Sequence, residues 1–109
     1  MAFDENLAQR IRQLLKDTPA LTEKRMFGGL SFMLQGNMAC GVIKDEMIVR
    51  IDPAQTDVSL ARPHVRPFDM TGRPMKGWLV VGGDALTSDE ELEEWVLMGV
   101  GYALSLPAK

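Results

Sequence analysis

A chain of 109 residues with 46% hydrophobic and 25% charged residues has the make-up of one globular domain, able to bury about two-thirds of its unfolded surface. A net charge of −3 excludes the strongly basic footprint of a dedicated nucleic-acid binder, and a single cysteine, Cys40, excludes an intrachain disulfide. The acidic opening Met1-Ala2-Phe3-Asp4-Glu5 is not a secretory leader, and no apolar run approaches the ~18 residues that span a bilayer, so a soluble cytoplasmic protein is expected.

Phe3, Leu7, Ile11, Leu14 and Leu15 recur at helical spacing opposite Arg10, Arg12, Gln13 and Lys16. They predict an amphipathic helix over 4–17, with Asp4 as its cap and Pro19 beyond its end. After a short run over 24–27, Gly28-Gly29 suggests a bulge, a bend in the sheet or a close backbone approach. Leu30, Phe32 and Leu34 then alternate with Ser31 and Met33 as in a strand. Gly36-Asn37 predicts a type II′ hairpin, a strand returns over 38–43, Lys44-Asp45-Glu46 turns, and a third strand covers 47–51.

Asp52-Pro53 opens a short helix that closes at Arg62-Pro63. Val65 to Phe68 reads as an edge strand, because Pro67 removes a ladder donor. Residues 69–74 have loop chemistry, and Trp78 to Val81 form a buried strand. Ser88-Asp89-Glu90-Glu91 is a capping box, followed by a stripe of Leu92, Trp95, Val96, Gly99, Tyr102, Ala103 and Leu106 up to Pro107. The order is that of an α+β fold: an antiparallel sheet of four to five strands carrying an N-terminal and a C-terminal helix, as one domain over 1–109.

Met26-Phe27-Gly28-Gly29 with Phe32, the Asn37-Met38-Ala39-Cys40-Gly41 return, Arg50, and Arg66-Pro67 followed by Gly72-Arg73-Pro74-Met75-Lys76-Gly77-Trp78 resemble the TfoX/Sxy N-terminal domain over about residues 5–105. The resemblance implies a fold related to the type III secretion chaperone-like and YjbR-like domains. It also implies a role in regulation: longer members, which add a C-terminal domain, act in competence development as transcriptional co-activators with the cAMP receptor protein. Within the signature, Met26, Phe27, Gly28, Gly29, Gly41, Gly72, Pro74, Gly77 and Trp78 are read as structural.

The chemistry-bearing residues concentrate in one loop. Arg62, Arg66, Arg73 and Lys76 stand against one acid, Asp69. Arginines there suit bidentate contact with a carboxylate or phosphate. The simpler reading is that Arg66 or Arg73 pairs with Asp69, Asp52 or the helix acids and ties down the loop. Gly28-Gly29 lacks the Lys-Ser/Thr of a phosphate loop. Cys40 and His64 are the only residues of their types, so no metal ligand set appears, and Cys40 reads as a small core residue.

Glu90, Glu91, Glu93 and Glu94 read as a solvated helix start, Met33 and Met47 as core, and Phe68, Trp78, Trp95 and Tyr102 as core anchors. Together these features predict a non-enzymatic regulatory domain without a cofactor, contacting a protein partner through the basic residues and the adjoining sheet edge. The resemblance points to a cAMP receptor protein-type transcription factor as that partner. The competing expectation is a small-anion or nucleotide-binding protein, or a small enzyme, using the same loop. Direct nucleic-acid binding through four charges would be weak and salt-dependent. Homodimerisation through a sheet edge or the closing helix is a further expectation.

Overall fold

In the computed structural model, which describes residues 3–26, 28–68 and 76–108, the chain enters its first helix on an aspartate cap. The Asp4 carboxylate accepts from the Asn6 and Leu7 N–H groups at 2.9 and 3.2 Å and opens helix α1, Glu5–Leu15. Leu7, Ala8, Ile11 and Leu15 bury one face of α1, while Leu14 stays partly exposed at its margin. Six strands follow: β1 Leu21–Met26, β2 Gly29–Leu34, β3 Asn37–Ile43, β4 Glu46–Arg50, β5 Val65–Pro67 and β6 Trp78–Val81. A single 3-10 turn, Pro53–Gln55, and helix α2, Thr56–Leu60, separate β4 from β5; helix α3, Asp89–Ser105, closes the chain.

The strands form one antiparallel sheet in the order β1-β2-β3-β4-β6-β5. Six strands replace the four to five expected from the sequence, and β1 is the addition. Thr22, Glu23, Lys24 and Arg25 of β1 are exposed, so the strand lies at an edge and lacks the apolar alternation by which strands are recognised.

Turn geometry corrects two further expectations. Leu34 faces Asn37, so the hairpin loop is Gln35-Gly36, one residue earlier than expected. Both loop residues have positive φ, 53° and 84°, the requirement of a type I′ turn. Met26 faces Gly29, so the chain reverses there with Gly28 at φ 75°, as a hairpin and not as a bend within a strand. The bulge lies instead in β3. Phe32 pairs with Cys40 and Met33 with Met38, which leaves Ala39 unopposed.

Alternation then sorts the side chains. Phe32, Cys40, Val42, Met47, Val49, Leu79 and Val81 face α1 and α3 and form the core with Ile11, Leu92 and Trp95. Met47 is fully buried there, but Met33 is only half-buried and points to the opposite face. Trp95 is 1% exposed, whereas Trp78 and Tyr102 are half-buried and do not join it in the core. Helix α3 starts where the capping box predicts, with Ser88 Oγ accepting from the Glu91 N–H at 3.2 Å. Gly99 sets its distance from the sheet: a Cβ there would lie 2.3 Å from the Ala39 carbonyl oxygen. Among the described residues no helix is long and apolar enough to cross a membrane.

Candidate functional site

The basic loop enters the sheet through β5. His64, at φ 63°, gives its carbonyl to the Gly82 N–H at 2.7 Å, and the Phe68 N–H reaches the Trp78 carbonyl at 3.3 Å. These two bonds fix the alternation of an antiparallel pair: Arg66 exchanges its backbone groups with Val80 of β6. The N–H and C=O of Val65 and the C=O of Pro67 therefore point away from the sheet. Pro67 has no N–H to offer, and this confines the segment to an edge.

The four expected contact residues do not form one patch. Arg66 stands opposite Val80, on the face of the sheet away from α3, and forks onto Glu46: one guanidinium nitrogen lies 2.7 Å from Oε1 and the other contacts Oε2. That hydrogen bond is the main cause holding the Glu46 carboxyl below its ordinary value and the Arg66 guanidinium above its own. Arg62 turns instead toward α3. It bonds Glu94 at 2.7 Å and lays its guanidinium 4.1 Å from the centre of the Trp95 ring. Lys76 is exposed at the start of the turn into β6. Arg73 lies outside the described residues, as do Phe27, Asp69, Gly72 and Pro74.

Ion pairing of Arg66 was expected with Asp69, Asp52 or the helix acids; the partner is Glu46, on β4. A helix acid does hold Arg62. Glu90, Glu91, Glu93 and Glu94 are all exposed at the start of α3, but Glu94 is engaged rather than only solvated.

Around the end of β4 the aromatic residues are tied by a cation. The Arg50 guanidinium sits 5.1 Å from the Trp78 ring centre and 5.5 Å from that of Tyr102, and Trp78 meets Phe68 at 6.2 Å. Gly77, at φ 84°, gives its N–H to Thr56 Oγ1 at 2.9 Å and accepts from the Ile51 N–H at 2.8 Å. This joins the entry of β6 to α2 and to the end of β4. Gly29 and Gly41 sit where β2 and β3 approach closely, with a Cβ at Gly29 placed 2.3 Å from the Val42 oxygen and one at Gly41 placed 2.7 Å from the Leu30 oxygen. Met26 ends β1 opposite Gly29.

Cys40 is fully buried in β3, and burial pushes its thiol up to about 12, so it stays protonated at physiological pH. His64 lies three strand intervals away in the order β3-β4-β6-β5, roughly 14 Å at the usual spacing, so the two are not brought together. Among the described residues no cluster of three His, Cys, Asp or Glu side chains could hold a metal ion.

Glu46, Arg50, His64 and Trp95 are the neighbours of the site that the sequence reading did not single out for contact. Glu46 reads as a turn residue, and only the register of β4, β6 and β5 brings it under Arg66, 20 positions along the chain. Trp95 was placed correctly in the core, but its position under Arg62 carries no sequence signal.

Residues 13–103 match the family described as TfoX N-terminal domain. Comparison with curated proteins and with solved structures finds no match.

Proposed function

The chain belongs to the TfoX N-terminal domain family, and from that premise we propose that it is a regulatory domain that binds a protein partner through the β5 edge, without catalysing a reaction. The observation that carries this reading is the outward-facing backbone of Val65 and Pro67 beside an exposed, already oriented Arg66. An extended segment laid on β5 would take the Val65 N–H and C=O and the Pro67 C=O into a ladder, as in strand-addition recognition. A carboxylate on that segment would meet the Arg66 fork. Arg66 remains 57% exposed, and an ion pair in that setting contributes only about 0–1 kcal/mol. A partner acid can therefore replace or share Glu46 at little cost. A transcription factor of the cAMP receptor protein type is the partner class that the family resemblance supports.

A small-anion site on the same loop has less support. Arg62 and Arg66 already hold carboxylates, and they turn toward different parts of the fold. The test is capture of purified candidate partners by the domain, comparing the wild type with Arg66→Ala and with Arg12→Ala as a surface control. Arg12 sits in a comparable exposed pair with Glu23 at the far end of the molecule. Arg66→Ala should weaken capture by about tenfold or more, the effect of one lost charged hydrogen bond, and Arg12→Ala should leave it unchanged. Equal capture by all three proteins would remove β5 from the account.

A further inference from the structure

Helix α3 changes character along its length. Asp89, Glu90, Glu91, Glu93 and Glu94 crowd its start, and from Trp95 to Ser105 it holds no charged residue. The fold leaves part of this uncharged stretch open: Leu97 and Leu104 are 58% and 53% exposed, with Gly101 exposed between them. At that spacing the three lie along one stripe of the helix. A groove of about 370 Å³ runs beside the stripe, between Leu97, Met98, Gly101 and Tyr102 on one side and Ile51 and Asp52, just past β4, on the other.

Gly101 is the residue that packing does not explain. Glycine inside a helix costs stability relative to alanine. At Gly99 the Ala39 carbonyl oxygen excludes a Cβ, whereas at Gly101 no described atom lies within 4 Å of the place a Cβ would take. The close approach that glycine permits there is used by nothing among the described residues, and it suits a backbone arriving from outside.

The charges select the occupant. Glu93 and Glu90 stand one and two turns before Leu97 on the same exposed side of α3, and Asp52 lies in the opposite wall. None of the three forms an ion pair among the described residues, and Asp52 spends one oxygen on the Ala54 N–H. The nearby cations are engaged: Arg62 holds Glu94, and Arg50 lies over the rings of Trp78 and Tyr102. A second copy of α3 would bring acids to an acidic rim, and an anionic lipid surface would be repelled.

We propose that this groove docks a basic amphipathic helix of a protein partner, its apolar face on Leu97, Gly101 and Leu104 and its lysines or arginines beside Asp52, Glu90 and Glu93. Glycine at 101 lets the two helix axes draw close. The surface is separate from the β5 contact and stands without it.

The probe is a capped synthetic peptide of leucine and lysine patterned as an amphipathic helix. Its controls are the same pattern with glutamate for lysine, and the same leucines and lysines in an order without helical period. Each is titrated into the full ¹⁵N-labelled chain. The expected result is a saturable displacement of the Leu97, Met98 and Gly101 amide resonances by the leucine–lysine helix and not by the controls. Gly101→Leu, which fills the groove from an exposed helical position, should weaken that binding by at least about fivefold while the remaining spectrum stays that of the folded protein. Asp52→Asn with Glu93→Gln should weaken it by about twofold or more, asparagine keeping the cap on the 3-10 turn. No displacement, displacement centred away from α3, equal binding of the glutamate helix, or binding untouched by Gly101→Leu overturns the proposal. Displacements on α3 that grow with the protein's own concentration, without peptide, assign the face to a second copy and overturn it as well.

Discussion

Two arginine–carboxylate forks set how single residues respond to acid. Arg12 holds Glu23 at 2.8 Å through both oxygens, and Arg66 holds Glu46 in the same manner. In each pair the hydrogen bond from arginine is the largest influence, and it lowers the carboxyl below its ordinary value of 4.5. A carboxyl with a lowered folded pKa binds protons less readily than in the unfolded chain. Its contribution is therefore whole above about 4.5 and is lost as pH falls through the lowered folded value. Because both pairs are partly exposed, solvent screening limits each to about 1 kcal/mol or less. Denaturant unfolding of wild type and Glu46→Gln, at neutral pH and below the carboxylate range, should show a difference at neutral pH that shrinks in acid. A difference that grows in acid would contradict this assignment. That Arg66 would pair with a carboxylate was legible, because it stands in a basic, proline-bounded loop. Its partner was not, since sequence distance conceals neighbours that strand register creates.

Helix α3 shows what an element adds. Its start was readable, because Ser88 and Glu91 occupy positions where a hydroxyl can meet an orphan N–H. Its contact with the sheet was readable only as a stripe that included Gly99. The structure shows why glycine stands there, with the Ala39 backbone oxygen occupying the space a Cβ would need. Alanine in a helix gains up to about 1 kcal/mol over glycine by propensity, whereas overpacking against an unyielding backbone costs about 1–3 kcal/mol. Gly99→Ala should therefore lower stability. At Gly101 nothing lies within 4 Å of the added atom, so Gly101→Ala should raise stability by up to about 1 kcal/mol. Thermal unfolding of the two variants checks this: opposite signs are expected, and a stabilised Gly99→Ala would show that α3 does not pack on β3 as described. Strand β1 escaped the sequence reading for the converse reason. An exposed edge strand rich in charge has no apolar period, and only its pairing with β2 marks it.

For the whole molecule, the two sheet edges differ in how they meet solvent. The β1 edge carries exposed Glu23, Lys24 and Arg25, a charged face that discourages strand addition. The β5 edge is three residues long and lacks one donor at Pro67, yet it offers Val65 whole and places Arg66 beside it. That both long helices cover the sheet followed from periodicity, because each amphipathic helix needs a sheet face to cover, while their sharing one face did not. Which edge is open depended on strand order, and strand order is set by long-range pairing. The placement of a partner on β5 is the central claim, and amide hydrogen exchange with and without the captured partner tests it most directly. The Val65 N–H, which points away from β6, should exchange more slowly in the complex, while the amides of Leu21, Glu23 and Arg25 on the β1 edge keep their rates. Unchanged exchange at Val65, with protection appearing on β1 or α3 instead, would contradict the account.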